Sequence, residues 1–261
     1  MPRAARREGG GSTGFPLSDD AGAAQNGKAM LGAREKSLWD AQLQAEALFN
    51  ASVRQGLIRP GVLESELSDE LHALARADFG VRRHWHKRIV RSGINTLTSF
   101  RDEPPDRRLD ADDVVYLDFG PVFGDWEADF GRTYVLGSDP DKYRLVRDIS
   151  DAFALGQALY ERQPALSAGE LYDFVVQLAT ERGWSFGAST AGHIVDRFPH
   201  HRDPARREVI RHNNPTSLRE PFADGTPRHW ILEIHFVDRA RGYGGFLEEL
   251  LTIRGPRTRE G

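Results

Sequence analysis

The chain has 261 residues, a formal net charge of −4 and no cysteine. Its length allows one large domain with a sizeable core. The lack of cysteine excludes disulfide scaffolds, thiolate metal sites and cysteine nucleophiles. The charge balance favours neither nucleic acid nor an anionic membrane as a partner.

No apolar run approaches the roughly 20 residues of a transmembrane helix. The basic start lacks the apolar segment of a secretory signal, so we expect a cytoplasmic protein.

The chain order predicts a disordered tail followed by one domain. Residues 1–32 are rich in Gly, Ala, Ser and Asp without apolar periodicity, which is typical of disorder. We expect a single domain over residues 33–254 and a short C-terminal tail over 255–261. Apolar residues at helical spacing predict a helix from Ala33 to Gly56 and a second helix that ends before Gly80.

The later elements predict an α+β fold. Asp139 and Pro140 form an N-cap and first-turn pair, and Ser167 with Glu170 forms a capping box, so a helix pair begins at these positions. Residues 185–228 are predicted to be irregular. Apolar runs predict two final strands at about 229–237 and 245–253. Strands on both sides of the helices indicate α+β architecture.

The stretch 113–133, DVVYLDFGPVFGDWEADFGRT, contains two β-type runs separated by a Gly-Pro turn. Asp118 ends the first run and Asp129 lies in the second. Two strands joined by a turn can bring these carboxylates onto one face of a sheet. Two carboxylates on one face of a sheet can supply the first ligands of a divalent-metal site.

Three further stretches offer metal ligands, namely His193 in AGH, Glu233 in WILEIHF and Glu248 in GFLEELLTI. A buried carboxylate without a partner is very costly, so acids within apolar strands need an explanation. Taken singly, an Asp at a strand end is usually a turn residue and a strand Glu usually faces solvent. Together, oxygen-rich donors with one imidazole suit Mn²⁺, Fe²⁺, Co²⁺ or Zn²⁺, and two bridging carboxylates favour a binuclear site.

The ordered set Asp118, Asp129, His193, Glu233 and Glu248 resembles the ligands of the pita-bread metallopeptidases. That family includes methionine aminopeptidases, Xaa-Pro aminopeptidases and prolidases. The matching motifs are LDFG, ADFGRT, AGH, LEI and LEE, and the resemblance covers residues 33–254. It implies a pita-bread (creatinase/aminopeptidase) fold, a curved antiparallel sheet covered by two helix pairs. The pair Arg132-Thr133 resembles the Xaa-Pro aminopeptidase branch.

The resemblance implies two divalent ions (Mn, Co, Fe or Zn, with Mn slightly favoured). Asp129 and Glu248 would bridge the ions, Asp118 would hold one, and His193 with Glu233 would hold the other. The implied reaction is removal of an N-terminal residue from a peptide by metal-activated water. Glu233 would shuttle the proton. Dimers are common in the family, so a homodimer is compatible with the resemblance.

The resemblance also assigns contacts with substrate. His200 resembles a second histidine that donates to the substrate or to the tetrahedral oxyanion, and His201 is its alternative if the register shifts by one. Family members commonly place another histidine in the loop before the first strand, whereas this chain has Phe100 near that place. Besides Phe100, we consider His84, His86 and His235 as substitutes, although ordinary packing or surface roles are the simpler interpretation for these histidines.

Two other functions remain open at this point. Creatinase-like relatives cleave a small C–N substrate on the same fold, since a fold does not fix a function. They usually have altered ligand positions, which the complete set here opposes. A non-catalytic binding module is the third alternative; the five intact ligands oppose it, whereas the missing loop histidine keeps it open. The two Asp-Phe-Gly triplets do not indicate a kinase, because a Gly-rich phosphate loop and an HRD motif are both absent. A glycosidase carboxylate pair would leave His193 and Glu248 without roles.

Overall fold

The computed structural model of the protein describes residues 31–256. The helices are α1 (Ala33–Arg54), α2 (Glu64–Asp78), α3 (Pro140–Arg162) and α4 (Ala168–Glu181). The strands are β1 (Ile89–Ser92), β2 (Val114–Phe119), β3 (Val122–Phe123), β4 (Trp126–Glu127), β5 (Phe130–Val135), β6 (Ser185–Phe186), β7 (Ile231–Asp238) and β8 (Tyr243–Leu250). Short 3₁₀ turns cover Gly93–Leu97, His200–Arg202 and Pro204–Arg206.

The main sheet has six strands in the order β1-β2-β5-β8-β7-β6, and every neighbouring pair is antiparallel. The small β3-β4 hairpin lies between β2 and β5 in the chain. The expected α+β class is therefore confirmed. The predicted hairpin of residues 113–133 is more elaborate than two strands, because this second hairpin separates them.

Two helix pairs cover the sheet, each over its own apolar core. Side chains of α1 and α2 pack with β2 and β5, whereas side chains of α3 and α4 pack with β7 and β8. The predicted caps form as expected. Asp139 accepts a hydrogen bond from the backbone N–H of Asp141, and Ser167 and Glu170 make a reciprocal capping box. Each such cap stabilises a helix by about 1 kcal/mol.

Period-two alternation sends the acids to the face opposite these cores. On β2, Val115 and Leu117 enter the core beneath α1 and α2, while Asp118 points to the other face. On β7, Leu232 and Ile234 enter the core beneath α3 and α4, and Glu233 points away from it. The polar side chains of three or more strands can therefore meet on one face of the sheet.

The boundaries differ from the predicted ones by a few residues. The final strand begins at Tyr243 and ends at Leu250, because the chain turns away from the sheet after that point. The predicted N-terminal tail at 1–32 lies outside the described residues, except for its last two. Of the predicted tail at 255–261, the first two residues are described. Gly255 lies against the Trp39 ring, whose Nε1 donates to the Pro256 carbonyl at 3.2 Å, so the folded part extends beyond residue 254.

Within residues 31–256, no helix is both long and apolar enough to cross a lipid bilayer.

Candidate metal centre

Four neighbouring strands contribute one position each to a continuous row across the sheet. Asp118 on β2 is paired with Gly131 on β5, Gly131 with Glu248 on β8, and Glu248 with Glu233 on β7. Directly paired residues on antiparallel strands have their side chains on the same face, about 5 Å apart. The row therefore brings three carboxylates onto one face, and Gly131 lies between Asp118 and Glu248.

The glycine in this row leaves room for its neighbours. A Cβ at Gly131 would lie 2.5 Å from the Phe246 ring and 3.1 Å from the Cβ of Glu248. Both distances are shorter than ordinary carbon contacts, so a side chain at this position must displace Phe246 or Glu248. The Gly of the ADFGRT motif is thus required by packing against a proposed ligand.

We expect Gly131→Ala to lower the free energy of unfolding by about 1–3 kcal/mol, the usual cost of overpacking a buried site. Metal affinity should fall as well, because Glu248 shares the space that the new methyl group needs. Urea unfolding of the metal-free protein and calorimetric metal titration measure the two effects. A variant with wild-type stability and wild-type metal affinity would contradict this account of Gly131.

Asp129 lies immediately before β5, at the centre of the cluster. Its Oδ1 is 3.0 Å from Nε2 of His86, and its Oδ2 is 3.1 Å from Nε2 of His193. A donor oxygen of Asp129 also lies within 4.8 Å of one of Glu248. Asp129 thus belongs to both donor groups of this face, one with His86 and Asp118 and the other with His193 and Glu248.

Burial and mutual repulsion perturb the carboxyl groups. Burial raises the pKa of Asp118 to about 7, although His86 opposes this shift. Burial, reinforced by the charges of Asp129, Asp118 and Glu233, raises the pKa of Glu248 well above its usual value. For Asp129, burial acts upward, yet the His86 charge and the hydrogen bonds from His193 and His86 hold its pKa below its ordinary range.

The two imidazoles respond in the opposite sense. Burial alone would lower the pKa of His86 and of His193. The charge and hydrogen bonding of Asp129 act together with the charge of Asp118 on His86 and that of Glu233 on His193, and their combined effect raises each pKa to about 9. The cluster therefore attracts positive charge, as protons or as a cation.

The residues fit a binuclear cation site. Asp118, Asp129, Glu233 and Glu248 carry four negative charges when ionised, which two divalent cations would neutralise. Glu248 also has a buried Oε2 without a hydrogen-bond partner in the described part of the chain. Such an orphaned acceptor is costly unless an ion or water satisfies it. The donor set, oxygens with imidazole nitrogens, is the one that Mn²⁺, Fe²⁺, Co²⁺ and Zn²⁺ accept.

His200 lies beside this cluster, with its ring stacked on that of His193 at a centroid distance of 6.4 Å. Its Nδ1 is hydrogen-bonded to the carboxylate of Glu127, whose side chain is fully buried. This contact fixes the ring orientation and leaves Nε2 as the atom that can meet a substrate. Sequence reasoning found His200 but missed Glu127.

Trp85 joins the histidines of the site. Its ring lies 4.6 Å from that of His86, 5.2 Å from that of His193 and 5.5 Å from that of His200, all edge-on. Its Nε1 donates to the Ala128 carbonyl at 3.2 Å, which anchors the ring. Sequence reasoning gave Trp85 no role, and the triplet His-Trp-His was the available signal.

Two of the remaining residues assigned to substrate lie near the site. His201 forms a third group of metal-capable donors with Glu127 and His200, and its Nδ1 is buried without a hydrogen-bond partner among the described residues. The Phe100 side chain is half exposed, and its ring lies 5.7 Å from the ring of His86.

The other two are packing residues in the structure. His235 Nε2 is 2.8 Å from the Thr96 carbonyl, and its ring is buried between Tyr116 and Phe246. His84 packs against the rings of His72 and Phe119. In this structure the contacts bury His235 and partly bury His84, so both rings pack against protein.

The structure gives His86, rather than His84 or His235, a place at the cluster. His86 enters from the segment before β1, and its side chain is only 6% exposed. Sequence analysis favoured a packing or surface role for it, since the segment Arg82–Arg88 carries no recognised ligand motif. This placement corrects that interpretation.

Arg132 and Thr133 hold β5 against β8. Arg132 pairs with the Glu249 carboxylate, and Thr133 Oγ1 exchanges two hydrogen bonds of 2.7 Å with the backbone of Phe246. Because Glu248 lies between these two contacts on β8, the pair fixes the strand that carries it. In this structure the Arg-Thr motif supports the cluster from within the sheet.

Comparison with known proteins identifies the family. The sequence profile of metallopeptidase family M24 matches residues 36–223, well over half of the chain. The chain belongs to metallopeptidase family M24. An Xaa-Pro dipeptidase of Lactobacillus helveticus is 24% identical over 157 residues, which cover 60% of this chain and 42% of that protein. The chain thus spans less than half the length of this curated relative.

Solved structures of the family have the same fold. An Xaa-Pro dipeptidase from Bacillus anthracis superposes with a TM-score of 0.68 at 22% identity, covering 87% of this chain and 62% of that one. An X-Pro aminopeptidase from Thermotoga maritima gives a TM-score of 0.67 at 19% identity, covering 85% and 61%. The predicted pita-bread fold of this M24 chain is confirmed.

Proposed function

We propose that this M24 protein is a binuclear metal-dependent hydrolase that removes the N-terminal residue from peptides, including short Xaa-Pro peptides. The observation that carries the proposal is the row of Asp118, Glu248 and Glu233 with Asp129 at its centre. A buried group of four acids has no reason to form in a merely structural sheet, because it destabilises the fold unless cations neutralise it. Membership of the family supports the same conclusion.

The protein groups divide into two sides that meet at Asp129. Asp118 would hold one ion, His193 and Glu233 the other, and Asp129 and Glu248 would bridge them. When bound, the two divalent ions would polarise the scissile carbonyl and acidify the attacking water. Mn²⁺ is the first ion to test, and the oxygen-rich donor set supports that choice.

Glu233 would accept the proton of the attacking water and return it to the leaving amine. Its side chain is 16% exposed and that of the neighbouring His193 22% exposed, compared with 2% for Asp129. The side of the cluster with His193 and Glu233 is therefore the accessible one. Burial raises the pKa of Glu233 above its ordinary value, which suits a carboxylate that must bind a proton during turnover.

His200 would contact the oxygen that becomes negative when the carbonyl is attacked. With Nδ1 held by the buried Glu127 carboxylate, a second proton at Nε2 can be donated to that oxygen. A cavity of about 410 Å³ opens beside His200, with Trp126 and Phe198 among its lining residues.

The test uses protein purified without chelator. We expect about two metal ions per chain by elemental analysis, and loss of single N-terminal residues from a mixed peptide library that contains Xaa-Pro dipeptides and longer Xaa-Pro peptides. His193→Ala should abolish this activity. His212→Ala is the matched control, because His212 pairs with Asp173 on the surface.

The outcomes separate the alternatives. Turnover of small guanidino or amide compounds that persists in chelator would replace the proposal with a creatinase-like activity. An unchanged library under Mn²⁺, Co²⁺, Fe²⁺ and Zn²⁺ would favour a binding module. Metal far below one ion per chain would contradict the binuclear site.

We expect Glu127→Gln to lower kcat/KM by about 10- to 100-fold, the usual effect of replacing a group that orients a functional histidine. The amide can still accept from Nδ1 of His200, so the ring stays in place while the negative charge is lost. The pH profile of kcat/KM should change, whereas metal content should not. Wild-type kinetics with an unchanged pH profile would show that Glu127 has only a packing role.

A further inference from the structure

We propose that His86 is a direct ligand of the ion held by Asp118, so that each of the two ions has one imidazole. This inference rests on the proposed binuclear site and adds a sixth protein ligand to the five inferred from the sequence motifs. His86 comes from the segment between α2 and β1, which contributes none of those five residues.

The positions of the two imidazoles around Asp129 are equivalent. Nε2 of His86 is 3.0 Å from Oδ1 of Asp129, and Nε2 of His193 is 3.1 Å from Oδ2. Each ring also faces a second acid, since His86 Nε2 is 3.6 Å from Asp118 Oδ1 and His193 Nε2 is 3.7 Å from Glu233 Oε1. One carboxylate therefore has an imidazole on each of its oxygens.

These separations are compatible with donor atoms that share a cation. Donor atoms about 2.1 Å from one ion lie about 3.0 Å apart at an octahedral angle and about 3.4 Å apart at a tetrahedral angle. The contacts of His86 with Asp129 and Asp118, at 3.0 and 3.6 Å, fall close to these values. His86, Asp118 and Asp129 thus form a compact three-donor group.

The backbone presents both rings through the same nitrogen. Nδ1 of His86 is 2.6 Å from the carbonyl of Lys87, and Nδ1 of His193 is 2.8 Å from the carbonyl of Ile194. A carbonyl oxygen only accepts, so each Nδ1 carries the proton, and the lone pair of a neutral ring then lies on Nε2. Metal-binding histidines are usually fixed by such a contact at the other ring nitrogen.

The sequence around the cluster makes space for His86. A Cβ at Gly120 would lie 2.5 Å from Nε2 of His86 and equally close to Nε1 of Trp85. Trp85 packs on one edge of the His86 ring, and Phe100 lies 5.7 Å from it on another side. His86 is therefore enclosed on several sides, with its Nε2 directed at the carboxylates.

The competing account is an ion pair without metal contact, in which a protonated His86 neutralises Asp129 and Asp118. Both accounts place Nε2 of His86 beside the carboxylates. In the first account a metal ion lies between Nε2 and the carboxylate oxygens, and in the second a proton does. An imidazolium has no lone pair at Nε2 and cannot bind a cation. Counting the imidazoles bound to the metal therefore separates the two accounts.

The experiment is X-ray absorption spectroscopy of the full chain loaded with two equivalents of Zn²⁺, with metal content measured on the same sample. We expect an average of one imidazole per zinc in the wild-type protein. In His86→Ala the average should fall to one half, because only His193 remains. His212→Ala, a surface histidine, should keep the wild-type average.

Calorimetric titration gives a second readout. We expect His86→Ala to weaken one of two Zn²⁺ binding events at least about 10-fold and to leave the other within a few-fold. Should His86→Ala fail to fold, His86→Gln, which approximates the volume and keeps a polar side chain, replaces it in both measurements. The loss of imidazole on replacing His86 decides the question, because His200 and His201 form another donor group that can take up zinc.

Two failures are distinguishable. Two bound zinc ions with an average of one half imidazole in the wild-type protein, unchanged on removal of His86, would overturn the role of His86 and leave the proposed function intact. A chain that binds no zinc would overturn the proposed function and this inference together.

Discussion

Asp129→Asn is expected to abolish the binding of at least one ion and to lower kcat/KM by about a thousandfold or more. Asp129 has an imidazole at each oxygen and belongs to both donor groups of the cluster. An amide has one oxygen and no charge, so it cannot bridge two cations. A loss of about 4 kcal/mol of transition-state stabilisation, a fair value for charge stabilisation by metal, corresponds to such a fold-change.

The measurements are metal content, calorimetric titration and steady-state kinetics on an Xaa-Pro dipeptide. Asp125→Asn is the matched control. Asp125 lies four residues before Asp129 in the chain, is exposed and pairs with Arg197. It should leave metal content and kinetics unchanged. Two ions bound with wild-type affinity by Asp129→Asn would show that Asp129 does not bridge.

The second large effect is the pH dependence of stability in the metal-free protein. We expect its melting temperature to rise by at least about 5 °C as the pH falls from 9 to 6.5. In the folded chain burial acts to lower the pKa of His86 and of His193, but Asp129, together with Asp118 beside His86 and Glu233 beside His193, raises both to about 9. The ordinary value is near 6.5.

The sign follows from proton binding. Between pH 6.5 and 9 the folded state holds protons on His86 and His193 that the unfolded state has released, so stability increases as the pH falls. Asp118, with its pKa raised by burial to about 7, acts in the same direction between pH 7 and 4. Below pH 6.5 the partly buried His84 and the buried His235 oppose it, since loss of solvent lowers their pKa to about 3 and about 4.

Bound metal should remove this dependence, because cations would replace the protons that His86 and His193 hold in the metal-free protein. Melting curves from pH 6.5 to 9, in chelator and with excess Mn²⁺, test the expectation. With Mn²⁺ the melting temperature at pH 8 should exceed that of the metal-free protein, since the ions bind only the folded state. A metal-free melting temperature that is constant or that rises toward pH 9 would contradict the charge assignment of the cluster.

Much of the candidate site could be predicted because its proposed ligands lie in short local motifs. Asp118 ends an apolar run, and Glu233 and Glu248 interrupt apolar strands, so strand alternation alone singles them out. Burying an unpaired carboxylate at each of these positions destabilises the fold, and a bound cation would offset that destabilisation. The helix caps were predictable for the same local reason, since a cap involves residues two or three apart.

The groups that support the site could not be predicted in this way. His86 meets Asp129 across 43 positions of sequence, and Glu127 meets His200 across 73. Neither pair has a spacing that a strand or helix period would reveal. The packing of His84 and His235 could not be predicted for the complementary reason, because the residues that surround these rings come from distant segments.

The amino-acid sequence by itself determined the α+β class and the order of the five ligand candidates, because strand periodicity and buried charge are local properties. Only the tertiary structure decided which imidazoles reach the cluster. It brings His86 to Asp129, places Glu127 beneath His200, and makes Arg132 and Thr133 part of the sheet that holds Glu248. These contacts depend on how loops cross the face of the sheet, and short-range patterns of polarity do not encode that path.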